Sequence, residues 1–430
     1  MSISRPSLWT NLDCEDRGRN RVYLERAKSL PINLSLRIDD SLLPPSHPFF
    51  AVIPHAIGRL KSLSMGGALR RLEGATDRLS HPAPLLQKLS IRGDYYYWAQ
   101  HNLVLAPTLF GGDLSSLRVL KLESVHTEFP WRNMSNLTSL LLAHVSVGKV
   151  FVKPLLDFLE SAPHLREVDL LSTPTSGAQS GRLVSLECLE RMKIAGGDSA
   201  PLLLSHLLIP VGADLEIEVD LPDPPIKNQC LRFLDNLRNL PNFTAIHLHM
   251  DSYQRMWMQF SGPNGRVRVT PRSSRVDKTC LVLESLDNFD TSTVERLEVD
   301  SRESPPSDTF YRALFPMKRL RTLTLHHCTR SHIFVHALHP TMSPSGVVVC
   351  PELEELVIVL EPDWGTLEMK DVIGVVAARA SSGARLKFIK IIGRLARTNI
   401  LKLEKHVLDV ECDPEVDETD DDSDDSDEED

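Results

Sequence analysis

The chain has 430 residues, 42% hydrophobic and 25% charged, which is the balance of a soluble globular protein and excludes a wholly disordered or collagen-like one. Its net charge of −10 is uneven: Asp413–Asp430 holds 13 acidic residues and no Lys or Arg, and removing those charges leaves +3 for the body. Seven scattered cysteines without a C-x-x-C predict reduced thiols; with no signal-peptide core and no membrane-spanning apolar run, a cytoplasmic or nuclear location and no membrane partner are expected.

Near the N-terminus, Val22, Leu24, Ala27 and Leu30 recur at helical spacing and predict a short amphipathic helix ending before Pro31. Ile32, Leu34, Leu36 and Ile38 alternate with polar residues and predict a strand. From residue 60 one frame recurs, with apolar residues at offsets 0, +3 and +5. It begins at Leu60, Leu86, Leu117, Leu137, Leu165, Leu189, Phe243, Val294, Leu320, Leu353 and Leu386. It is clearest in Lys318–Cys328, KRLRTLTLHHC, where Cys328 stands at +8: the strand segment L-x-x-L-x-L-x-x-N/C of a leucine-rich repeat.

The spacings between first anchors are 26, 31, 20, 28, 24, 54, 51, 26, 33 and 33 residues, against a consensus of about 20–29, so the repeats are long and irregular. Between strands, Pro154–Ser161, Cys230–Leu240, Asp308–Phe315 and Met369–Ala380 carry apolar residues three or four apart and predict helices. The first long gap contains DLEIEVD, a degenerate repeat strand. The second contains WMQF, SGPNG and RVRVT, which predict a hairpin or an irregular repeat, with a further strand at Leu281–Leu283. At +8 only Cys328 matches the consensus, so no asparagine ladder is expected. The predicted fold is an α/β solenoid of leucine-rich-repeat type: an irregular horseshoe with parallel strands on the concave side and helices on the convex side. Residues 1–40 are assigned to an N-terminal cap, 41–412 to the solenoid and 413–430 to a disordered acidic tail.

Offsets +2, +4 and +6 should face the concave side. Candidate protein-binding residues there are Lys121, Glu123, Glu167, Asp169, Arg296, Glu298, Thr324 and His326. Both signs of charge are interspersed, which argues against a nucleic-acid groove. Tyr95, Tyr96, Tyr97 and Trp98 follow one strand and read as packing or as an interface anchor. His326, His327, Cys328, His332, His336 and His339 form the densest ligand-type cluster, but no H-E-x-x-H completes it and Cys328 already belongs to the repeat frame; no metal or cofactor is expected. G-x-S-x-G, P-loop and G-x-G-x-x-G motifs are absent, so no catalytic residue is assigned and an enzyme is not expected. Ser426, followed by three acidic residues, suits an acidophilic kinase; the tail equally suits a purely solubilising role.

The segments PSLWTNLDCED and RVYLERAKSLPINLSL, together with NLPNFTAIHLHM, FSGPNGRVRVTP, VERLEV and KHVLDVEC, resemble fungal (mushroom-type) F-box proteins with degenerate leucine-rich repeats. The likeness covers nearly the whole chain up to the acidic tail. It implies that residues 1–40 follow an F-box, which binds the linker subunit of an SCF-type ubiquitin ligase, and that the repeats present a ubiquitination substrate as the protein partner. Here Met1 lies five residues before Pro6, so no F-box helices, and hence no contact with the linker subunit, are expected from this chain. Either an upstream exon belongs to the gene, or the chain is a truncated paralogue, a stand-alone scaffold that binds partners without ligase coupling. Trp9 and Leu12 would normally pack near that junction and are expected to be exposed.

Overall fold

The computed structural model describes residues 5–13, 19–38, 53–94, 103–127, 134–145, 150–172, 175–176, 181–196, 199–220, 243–250, 256–263, 265–272, 283–284, 286, 289–301, 305–328, 331–342, 347–359, 369–395 and 397–414. The strands, in chain order, are β1 (Asn11–Asp13), β2 (Ile32–Ile38), β3 (Leu60–Gly67), β4 (Lys88–Gly93), β5 (Val119–Glu123), β6 (Ser139–Ala143) and β7 (Val150–Phe151). Next come β8 (Glu167–Leu171), β9 (Thr175–Ser176), β10 (Val184–Ser185), β11 (Arg191–Ala195), β12 (Leu207–Leu208), β13 (Asp214–Asp220), β14 (Ala245–Met250) and β15 (Met256–Gly262). The last are β16 (Gly265–Arg272), β17 (Arg296–Ser301), β18 (Thr322–His326), β19 (Glu355–Val359), β20 (Phe388–Leu395) and β21 (Asp409–Pro414).

These strands fall into two compact units. One comprises the chain through Pro222 together with Asn264–Arg272; the other holds Asn242–Pro263 and the chain after Ser273. In the first, strands pair in the order β1–β2–β3–β4–β5–β6–β8–β11–β13–β16, every pairing parallel. In the second the order is β15–β14–β17–β18–β19–β20–β21, parallel except for the antiparallel pair β14/β15. Helices α1 (Arg19–Ala27), α2 (Leu69–Thr76), α3 (Val152–Glu160) and α4 (Ser199–Leu204) belong to the first unit. The second has α5 (Ser307–Leu314), α6 (Ser331–His336), α7 (Met369–Ser381) and α8 (Arg397–Glu404). Parallel strands in sequential order, joined by helical or irregular crossovers, make this an α/β protein of leucine-rich-repeat type.

The period-two alternation explains the core. Every residue of the eleven predicted frames is buried, Phe243 being the most exposed at 6%. A further anchor precedes several frames by three residues. Leu114, Met134, Ala162, Leu186 and Met317 are buried there, and each carbonyl accepts the N–H of the first frame residue, closing a tight turn into the strand. Register is then set by the backbone. The carbonyl of Arg118, at +1, accepts the N–H groups of both Thr138 and Ser139, and Thr138, Thr244, Glu295, Arg321 and Glu354 repeat the pattern.

Where regular repeats carry asparagine, the chain leaves the sheet by a left-handed residue one position earlier. Ser124, His144, Ser172, Gly196 and His327 all stand at +7 with φ of 54°, 50°, 46°, 92° and 51°. At Ser124, His144 and Ser172 the N–H still donates to the next strand, at Ala143, Leu171 and Ala195 respectively, which offsets the cost of the left-handed conformation.

The predicted helix at Val22–Leu30 is α1, and DLEIEVD is β13. Pro154–Ser161, Asp308–Phe315 and Met369–Ala380 match α3, α5 and α7; Cys230–Leu240 lies outside the described residues. In the second long gap WMQF falls in β15 and RVRVT in β16, strands that flank Pro263, and β14 pairs antiparallel with β15. Leu283 is helical, not extended. Leu12 is buried instead of exposed, because β1 pairs with β2, and Trp9 is covered by Tyr23 (4.9 Å, edge to face) and by the Arg26 guanidinium at 4.6 Å. Leu8 is the exposed residue there.

One buried cation is structural. Arg379 of α7 is fully buried, and its guanidinium donates to the carbonyls of Val349 (2.7 Å) and Cys350 (2.8 Å). It thereby satisfies two carbonyls of the turn entering β19, where Cys350 is itself left-handed at φ 48°. Arg379→Ala is expected to lower unfolding free energy by about 2–4 kcal/mol in denaturant titrations, with Arg379→Lys intermediate because an ammonium cannot fork to both carbonyls. Gly265 is required by close approach: a Cβ would sit 2.5 Å from the Val211 carbonyl oxygen. Gly265→Ala should cost about 1–3 kcal/mol, whereas Gly74→Ala, facing open space in α2, should gain about 0.5–1 kcal/mol in the same titration.

Candidate functional site

Alternation places offsets +2, +4 and +6 on the sheet face opposite the buried frame, and apart from the buried Ala143 and Ala195 the described ones are half-buried or exposed in both units. In the first unit this open face is a lattice of fixed charges. Arg92 lies 3.4 Å from Glu123, and Arg191 lies 3.8 Å from both Glu167 and Asp169. The Ser139 hydroxyl donates to Glu167 at 3.3 Å. Lys193 pairs with Glu216 at 2.7 Å and approaches Glu218 at 3.7 Å. Lys121 stands in the same lattice, in register between Ser90 and Leu141. Each carboxylate of these pairs faces a permanent cation, so the face is locally neutralised at any pH where carboxylates ionise.

The second unit is organised differently. Strand register aligns Trp257, His249, Asp300 and His326 in one row and Gln259, His247, Glu298 and Thr324 in the next. His249 Nδ1–H donates to Asp300 Oδ2 at 2.8 Å, which fixes that tautomer. His326 Nε2 lies 3.0 Å from Glu298 Oε1 across the diagonal, and His247 Nδ1 lies 3.7 Å from Glu298 Oε2. Trp257 stacks on His249 with centroids 5.1 Å apart and meets the edge of His247 at 4.5 Å. Arg296, at the +2 position of the same strand, is exposed. Among the described residues no Lys or Arg forms an ion pair with Glu298 or Asp300; their ionic partners are histidines.

Burial holds the His247 imidazolium below its ordinary range, outweighing the opposing pull of Glu298 and Asp300, with His249 and His326 adding to the downward shift. The folded chain therefore resists a proton that the unfolded chain accepts. Stability contributed by neutral His247 is present above the unfolded histidine value of about 6.5 and declines as pH falls through it. His247→Gln should flatten the fall in denaturation midpoint between about pH 7.5 and about pH 5.5; an unchanged slope would assign that fall to other groups.

The structure brings together Glu298, Thr324 and His326 in one patch, and Glu123, Glu167 and Asp169 in the lattice of the other unit. Sequence reasoning passed over His247, His249 and Trp257. Their signal was present in the alternating HLHM of β14, at the +4 and +6 offsets already assigned to the open face. The histidine–cysteine run does not converge. Cys328 is a core residue whose thiol donates to the His326 carbonyl at 3.3 Å, and burial pushes it up to about 12. His336 stacks on His339, and the His339 ring is hydrogen-bonded to Thr341 at 2.7 Å. Among the described residues no group of three His, Cys, Asp or Glu side chains is placed to hold a metal ion. No helix among them is long and apolar enough to cross a membrane. Tyr95, Tyr96, Tyr97, Trp98 and Ser426 lie outside the described residues. No protein-family model matches the chain, and no curated protein matches it.

Proposed function

We propose that this chain is a non-catalytic protein-interaction module whose open sheet face receives a partner, as the substrate-receptor part of an F-box-type ubiquitin ligase adaptor. The observation that carries the reading is the row of half-buried polar side chains held in register across β14, β17 and β18. Adjacent parallel strands fix these groups on a rigid backbone, so a partner binding them has little side-chain ordering left to supply. The ligase coupling rests on the sequence resemblance to F-box proteins. A stand-alone scaffold differs only in lacking that coupling.

The test uses the full chain, immobilised and exposed to cell extract and, separately, to purified linker subunit of the ligase. Retained proteins are quantified for the wild type, for Glu298→Lys with His326→Glu, and for Glu167→Lys with Asp169→Lys. A partner lost at least about tenfold in one pair of variants, with melting behaviour unchanged, is the expected result. An identical retained set for all three chains overturns the open face as the docking surface. Binding of the linker subunit assigns the chain to the ligase, and its failure to bind leaves the scaffold.

A further inference from the structure

The two open faces differ in how their carboxylates are balanced, and the difference identifies the chemistry of a partner. In the first unit Glu123, Glu167, Asp169, Glu216 and Glu218 lie beside Arg92, Arg191 or Lys193. In the second, Glu298 and Asp300 are supported only by His247, His249 and His326 among the described residues. A neutral imidazole can donate a hydrogen bond to a carboxylate, in the geometry His249 has toward Asp300, without cancelling its charge. Asp300 and Glu298 are part-buried, with about a quarter and a third of their side-chain surface exposed (26% and 35%), so a ligand can still reach them. Trp257 stands in register beside His249 in the same row, its ring stacked on the imidazole.

We infer that the patch of Trp257, His249, Asp300, His326, His247 and Glu298 is a docking site for a lysine- or arginine-bearing segment of a partner protein. This rests on the reading of the open face as the docking surface and deepens it. A partner guanidinium or ammonium supplies the fixed cation that Glu298 and Asp300 do not receive from any described residue, whereas Lys390 serves Glu411 farther along the same unit. Burial disfavours a charge on the His247 imidazole, so that ring does not cancel the Glu298 carboxylate beside it. The other charged groups on the neighbouring strands are Arg296, at the +2 edge of β17, and Glu355 of β19, which accepts a hydrogen bond from Thr322 at 2.9 Å. Neither forms an ion pair with the three histidines among the described residues. The partner's affinity is therefore governed by the carboxylates of Glu298 and Asp300.

The experiment measures binding of the full chain to peptides of matched length carrying lysine and arginine, glutamine, or glutamate, by fluorescence polarisation. The variants are Glu298→Gln with Asp300→Asn, which keep shape while removing charge, and Glu167→Gln with Asp169→Asn as the control on the other unit. Basic peptides should bind in preference to the others. They should lose at least about tenfold in affinity to the first pair of variants, and lose little to the control. Preference for neutral or acidic peptides, lost in the Glu298 and Asp300 variants, overturns the proposal and leaves the face reading intact. So does loss confined to the control variants. No basic peptide binding tighter than about 1 mM also overturns it, and the partner-retention comparison then decides the face reading alone. Peptide binding indifferent to every variant overturns both.

Discussion

One backbone carbonyl per repeat holds the sheet in register. At the position after the first frame leucine, its oxygen receives two N–H groups from the next strand, as Arg118 receives Thr138 and Ser139. A slip by one residue would turn every buried side chain to the opposite face. Because the acceptor is main chain, its side chain is unconstrained: Arg118, Thr138, Arg166, Thr244, Glu295, Arg321 and Glu354 all occupy the position. The repeats can therefore drift far from a consensus while their strands stay aligned. What the sequence must keep is the apolar triplet behind the sheet and the buried residue that closes the turn before it.

The left-handed bend has the same logic. A regular repeat uses an asparagine side chain to satisfy backbone groups as the chain leaves the strand. Here Ser124, His144 and Ser172 leave by adopting positive φ, and their own N–H groups continue the ladder. The work passes from a side chain to a backbone conformation. Crossovers after that bend then take different forms, a helix after β18 and β19 but a short 3-10 turn between β4 and β5, and this is why the period varies so widely.

The strand frame was legible because alternation over five residues is a direct image of a half-buried sheet, and all eleven frames are buried as read. Turn-closing anchors were not, because Ala162, Met317 and Leu186 share burial but no chemical type. The antiparallel pairing of β14 with β15 was not legible, because a single apolar alternation does not carry strand direction. In the candidate site, Glu298, Thr324 and His326 followed from offset alone. The contrast between the two faces did not, since it depends on which strand lies beside which: His249 meets Asp300 from 51 residues away. Arg379 was equally hidden. Nothing in its local sequence marks it as an arginine that ends fully buried beneath two carbonyls of a distant turn.

The order of the strands along the chain differs from their order in space. β13 takes as its neighbour β16, with Asp214 bridged to Arg266 across 52 residues, while β14 and β15 belong to the other unit. Parallel repeats otherwise assemble against the strand just made, so a chain emerging from the ribosome can add them one at a time. At β13 that rule is suspended. During synthesis, β14 and β15 appear before the first unit has its last strand, and β14 must wait for β17 to find its parallel partner. The chain between Asp220 and Arg296 is thus where translation and folding run out of step, and where a nascent chain would most need protection from pairing with a wrong edge.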